Sequence, residues 1–352
     1  MGKSYHFAAE SGEAKSFGDL QELFHNNNWT DGLPIVPPSP ESVGELLDWA
    51  LLPAEHLIGI EPVRARAVTA EQLAINAVMA GCLAKHFPVV VAAFTAMLQD
   101  PFVLHGATSS TGGCAILTLI NGPVLGDLNI DATFNALGAT DRATTTIGRA
   151  IRLSLQNILD VRPGEADRST LGHPGKLSFC MGEDEACTSW ASVAEERGLP
   201  PNISAVTVMA AGSPRQIMNE WTTDPEEILD TYIAEIRASM LHYSIYSGDW
   251  AIIITPQLRA HFDAAGWTKK QSREYVHTNA RVLRKEWETC GKVAVVGEDG
   301  KREYLALASP DDLMVIAAGG PAGGFGAVIP PWFGKTSRAV TIAIGACFDC
   351  KV

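Results

Sequence analysis

The chain has no run of basic residues: 27 Lys and Arg stand against 40 Asp and Glu, a formal net charge of −13 over 352 residues. Phosphate contacts need clustered Lys and Arg, so a nucleic-acid partner is not expected. Long apolar runs are missing too. The longest, Pro88 to Leu98, falls well short of the ~20 residues a membrane-spanning helix needs. The N-terminal MGKSYHFAAESGEAKSFGD holds neither a seven-residue apolar stretch nor a small-residue cleavage site. A cytoplasmic protein with no membrane partner is therefore the expectation. Cysteines are few, and only Cys347 and Cys350 form a CxxC pair. That excludes a disulfide scaffold and a zinc ribbon. The GxGxxG spacing of a dinucleotide site is missing. So is the upstream glycine that a phosphate loop ending in Gly334-Lys335-Thr336 would need, since Ile329 stands there.

What is present is an ordinary globular composition, 46% hydrophobic and 19% charged, enough for a sizeable core. Apolar runs at Ala115–Asn121, Ala205–Ala210, Trp250–Thr255, Leu313–Ala318 and Val340–Ile344 read as strands. Helical spacing marks Phe17–Trp29, Ala70 to Leu83, Pro88–Leu98, Thr146–Ile158, Pro225–Leu241, Pro256–Ala265 and Lys269–Cys290. Thr69-Ala-Glu-Gln72 matches a capping box. Alternation of the two classes predicts an α/β fold, with a mainly parallel or mixed sheet and flanking helices. The divisions expected are an N-terminal arm and helix (1–28), an α/β domain (29–203) and a second α/β domain (204–352), with a boundary near Leu199-Pro200-Pro201-Asn202. Strands ending in Asn121-Gly122-Pro123 and Gly319-Gly320-Pro321 suggest two similar halves.

The densest chemistry lies between Arg162 and Trp190. Two arginines, His173, Lys176, Cys180, Cys187 and five carboxylates are punctuated there by glycine and proline, so the stretch reads as a long loop entering a short strand, Leu177 to Cys180. A cation beside Cys180 would favour its thiolate, and Glu183 or His173 would serve as general acid or base. Thr144, Thr145 and Thr146 at a helix start, with Arg149 behind them, form a candidate anion site. The Gly319–Gly326 loop, through Gly320, Gly323 and Gly324, is expected to hold the same acidic ligand. Cys82, His86 and Cys114, with His105, His173 and Cys180, are the alternative as metal ligands.

The segments DGLPIVPP (31–38), AINAVMAGC (74–82), NGP (121–123), TIGRAIRL (146–153) and RPGEADRSTLGHPGKLSFCMGEDE (162–185) resemble a bacterial family loosely labelled thioredoxin-like and similar to neighbours of the UGSC-motif selenoproteins. The resemblance spans about Trp29 to Arg338. It implies an enzyme rather than a scaffold, with thiol chemistry first. The expectation is thus a cysteine-dependent hydrolase or lyase for an acidic substrate. In it Cys180 is the nucleophile, His173, Lys176 and Glu183 assist, and Arg149, Thr145 and Thr146 bind substrate. No cofactor is required, and a homo-oligomer is expected. The alternatives are a metal-dependent enzyme, or a small-molecule-binding or accessory subunit of a redox complex.

Overall fold

Local signals set the helix ends in the computed structural model, which describes residues 16–138, 141–292, 297–332 and 336–345. Ser39 accepts the Ser42 amide and Ser42 accepts the Ser39 amide, opening helix Pro40–Trp49. Thr69 and Gln72 open Ala70–Ala80 in the same way. That helix stops short of Leu83 because Gly81 takes φ 92°, a left-handed cap that side chains resist. Asp141 accepts the Thr144 amide and starts helix Arg142–Asn157, so the three threonines lie inside the helix rather than before it. The expected helix to Cys290 ends at Asn279 instead; a strand and a 3-10 segment follow.

Twelve strands are described: β1 (Leu57–Glu61), β2 (Arg66–Thr69), β3 (Ala115–Asn121), β4 (Cys180–Gly182), β5 (Ala205–Ala211), β6 (Arg215–Met218), β7 (Trp250–Ile254), β8 (Arg281–Leu283), β9 (Glu303–Leu305), β10 (Leu313–Ala317), β11 (Phe325–Ile329) and β12 (Val340–Ala343). β1–β2 and β8–β9 are isolated antiparallel pairs. The rest form two four-stranded sheets, β12-β5-β3-β4 and β10-β7-β11-β6. The fold is α/β with mixed sheets: β3–β4 and β7–β10 are parallel, and the other pairs are antiparallel.

The two sheets repeat one topology. A central strand is followed by a helical crossover, a parallel neighbour and an antiparallel neighbour. The last strand of each half then crosses over: β6 pairs with β11, and β12 pairs with β5. The halves therefore match β3 with β7, so Asn121-Gly122-Pro123 corresponds to Thr255-Pro256 and not to Gly319-Gly320-Pro321. The boundary expected near Leu199–Asn202 falls between β4 and β5, which belong to one sheet.

Side chains alternate across each strand. Ala115, Leu117 and Leu119 of β3 pack with Ala251 and Ile253 of β7 and Met314 and Ile316 of β10, in a core between the sheets. Ile116 and Ile120 face the other way, into a core with helices Ala70–Ala80, Phe87–Met97 and Arg142–Asn157. Ile252 and Ile254 of β7 do the same toward helices Pro225–Tyr243 and Pro256–Ala264. Four layers result, helices–sheet–sheet–helices, and strands apolar on both faces are what this arrangement demands. Among the described residues no single helix is long and apolar enough to cross a membrane.

Candidate functional site

The residues expected to act together are dispersed. Cys180 opens β4 with its side chain in the helix-facing core, 7% exposed. Burial, then Asp141 and Cys82, push its thiol well above the ordinary cysteine value. No cation among the described residues offsets this. Lys176 instead donates to Asp167 Oδ2 (2.6 Å) and Ser169 Oγ (2.7 Å). Of the expected strand Leu177–Cys180 only Cys180 is in a strand, and a 3-10 turn, Pro174–Lys176, precedes it, so Lys176 and Cys180 do not share one extended segment. Glu183 is 1% exposed and ion-paired with Lys269 at 2.7 Å, so its carboxylate is committed within the protein.

Arg149 is likewise committed. Its Nε and one Nη grip Asp31 at 2.8 and 2.9 Å, and the same Nη reaches the Pro34 carbonyl at 2.9 Å. Burial raises the Asp31 carboxyl, but Arg149, the Leu33 amide and the Thr30 hydroxyl outweigh it and hold it below the ordinary value. The acidic partner of Arg149 is thus the chain's own DGLP turn. Thr146 donates to the Arg142 carbonyl, and the Thr145 carbonyl accepts from Ser178 Oγ. Gly320 lies against Phe134, and the Gly324 amide is taken by Glu220 at 2.8 Å. Gly323 (φ 86°) makes the turn before Phe325. The glycine loop therefore closes on the protein itself.

The metal alternative also separates. Gly81 ends the helix before Cys82, and His86 Nδ1 accepts the Leu83 amide and meets Thr146 Oγ1. Burial, with Arg142 and Lys85 nearby, lowers His86 to about 4, and burial raises Cys82 to about 12. No three His, Cys, Asp or Glu among the described residues are placed to share a metal ion. Cys347 and Cys350 lie outside the described residues. A direct check follows from burial: in the native protein iodoacetamide should label exposed Cys187 well before buried Cys82, Cys114 or Cys180. Peptide mapping of a time course reads the order; early modification at Cys180 would restore it as a candidate nucleophile.

Two clefts of opposite electrostatic character lie along the first sheet. One, of about 740 Å³, opens at the carboxyl ends of β3 and β4, where ligands collect in open α/β sheets. Its titratable lining is entirely acidic: Asp131, Glu183, Asp184, Glu185 and Glu195. Each is already engaged. Asp131 accepts from Thr133, Glu185 from Asn121 and the Gly122 amide, and Glu195 from the Ser192 amide. Asp184 stands 3.6 Å from Arg259. Burial raises Glu185 despite its two donors.

The other cleft, of about 290 Å³, sits where the two strand-exchanging connections cross. There Gly212 N donates to Pro330 O and Trp332 N to Ala210 O, both at 2.8 Å. His173 seals the joint. Its Nδ1 accepts the Gly175 amide, so the ring proton sits on Nε2 and points to Ala211 O at 3.3 Å. Burial, offset by that carbonyl but reinforced by Lys176, keeps its pKa low. Across the opening Tyr243 Oη donates to Gly112 O at 2.5 Å. Arg215 and His242 complete the lining, and no Asp or Glu takes part in it. Both side chains are exposed and form no hydrogen bond or ion pair among the described residues. Of the residues expected to act, only His173 and Cys114 reach this cleft. Arg215, His242, Tyr243 and Trp332 went unmarked; the available signal was a strand followed by Gly212-Ser213-Pro214 or by Pro330-Pro331-Trp332, with a cation or aromatic ring next. No protein-family model, no curated protein and no solved structure matches the chain.

Proposed function

We propose that the protein binds an acidic small molecule in the cleft at the crossing of the two connections. Arg215 fixes the anionic group, and Tyr243 and Trp332 form the wall beside it. One observation carries the reading: in a chain of net charge −13, this cleft holds a guanidinium and an imidazole with no partner, and no carboxylate, among the described residues. A local positive site is what an anionic ligand needs to approach an acidic protein. An aromatic wall with a few convergent polar groups suits a ligand of modest size. Cys180 has no part in this site.

Calorimetric titration with succinate and with benzoate tests the reading. A charge-assisted hydrogen bond contributes about 1.5–3 kcal/mol, so Arg215→Ala should weaken the better of the two roughly tenfold to a hundredfold. Arg215→Lys should keep part of the affinity, having charge without the two-pronged geometry. Equal affinity in wild type and Arg215→Ala, or no binding of either acid at millimolar concentration, would sink the proposal.

A further inference from the structure

Behind this cleft lies a second, smaller cavity. Gly113 and Gly172 line the outer cleft, and Gly175 the inner cavity. Gly113 and Gly172 both take positive φ, 64° and 67°, and a Cβ on Gly113 would sit 2.8 Å from the Gly172 nitrogen. Cys114 lines both spaces. The inner cavity holds about 30 Å³, more than the ~10–15 Å³ that a single water requires. Most of its wall is hydrocarbon, from Ile151, Leu155 and Phe179 among others. The charged groups are Arg152 and Lys176.

The charges there do not balance. Lys176 Nζ lies 2.6 Å from Asp167 Oδ2, and Arg152 Nη1 lies 3.7 Å from the same oxygen. The other Asp167 oxygen takes the Ser169 amide and hydroxyl. The next carboxylate, Asp31, is already neutralised by Arg149. Two cations therefore share one carboxylate. Arg152, only 14% exposed, makes no hydrogen bond among the described residues. A guanidinium carries five donors, and an anion beside it would supply acceptors that the described residues do not. A water would supply an acceptor but would leave the excess charge. A single-atom anion supplies both and fits the volume. Apolar walls favour one that sheds its hydration readily.

We propose that the inner cavity is a site for a monatomic anion of the chloride and bromide class, held between Arg152 and Lys176. It ties helix Arg142–Asn157 to the loop that carries Asp167 and Lys176. It is separate from the outer cleft and does not depend on what binds there.

The test follows thermal unfolding of the full chain at constant ionic strength, with sodium gluconate replaced stepwise by chloride or bromide. A ligand bound only by the folded state raises the midpoint with its concentration, so a saturating rise is expected, with bromide acting at lower concentration. Arg215→Ala should keep that rise, which separates the two sites. Lys176→Met should shift half-saturation at least tenfold, and Arg152→Gln should abolish the response. Should Arg152→Gln fail to fold, the ³⁵Cl NMR line of wild type and Arg215→Ala decides the matter. Broadening by protein, reversed by bromide, is the expected result. An equal salt response in wild type and Lys176→Met, a rise lost in Arg215→Ala, or no excess broadening would overturn the site.

Discussion

Lys269→Met is expected to lower unfolding stability by about 3–5 kcal/mol, the cost of stranding a buried charge. Glu183 lies just past β4 in the first half, and Lys269 opens a helix of the second. Their side chains are 1% and 3% exposed and meet at 2.7 Å. Glu183 also accepts from Asn121 Nδ2 and the Val193 amide, both at 2.7 Å, and from the Ala317 amide at 3.3 Å. Without the lysine those donors remain, but no countercharge does. Lys269 donates in addition to the Ala191 carbonyl at 2.8 Å, which would lose its partner. The double variant Glu183→Gln/Lys269→Met removes the unmatched charge and should recover part of the loss. Urea unfolding of wild type, both single variants and the double gives the coupling directly. A loss below about 1 kcal/mol for Lys269→Met would show that the pair is hydrated, contrary to its burial.

Gly122→Ala should cost about 2–5 kcal/mol, and failure to accumulate folded protein would agree with that. Gly122 follows β3 at φ 89°, a region that L-residues enter at about 1–2 kcal/mol. A Cβ there would also lie 2.4 Å from the Ile203 carbonyl oxygen and 2.8 Å from the Ser204 Cα. These are backbone atoms and cannot rotate away, so an overpacking cost of about 1–3 kcal/mol adds to the first. Gly126, in the short helix that follows, is the control: a Cβ meets nothing within 4 Å, and Gly126→Ala should be neutral or slightly stabilising. Comparable midpoints for the two variants in thermal unfolding would refute this account of Gly122.

The sequence spoke clearly wherever local chemistry decides. Ala115–Asn121, Trp250–Ile254 and Leu313–Ala317 are buried at every position and mostly apolar because they are covered on both faces. Thr69 and Gln72 announced a helix start that needs no tertiary partner. The site was hidden because its determinants are non-local. Arg149 looks free until Asp31, 118 positions earlier, is seen in its grip. Glu183 looks like a general base until Lys269, 86 positions later, is placed beside it. Cys180 sits one turn past a proline and a glycine, where alternation cannot be extrapolated, and its thiol enters the helix-facing core. Arg215 had no neighbours in sequence to advertise it. Its cleft exists only because two connections cross.

That crossing sets an order of events at the ribosome. β5 has β3 on one side and waits for β12 on the other, and the two interacting segments start at Ala205 and Val340. At roughly 5–20 residues per second, translation leaves that edge unpaired for roughly 7–27 s. An open strand edge is a template for another chain. Slowing elongation over the second half should therefore favour aggregation of nascent chains, and adding a peptide spanning β12 during refolding should suppress it.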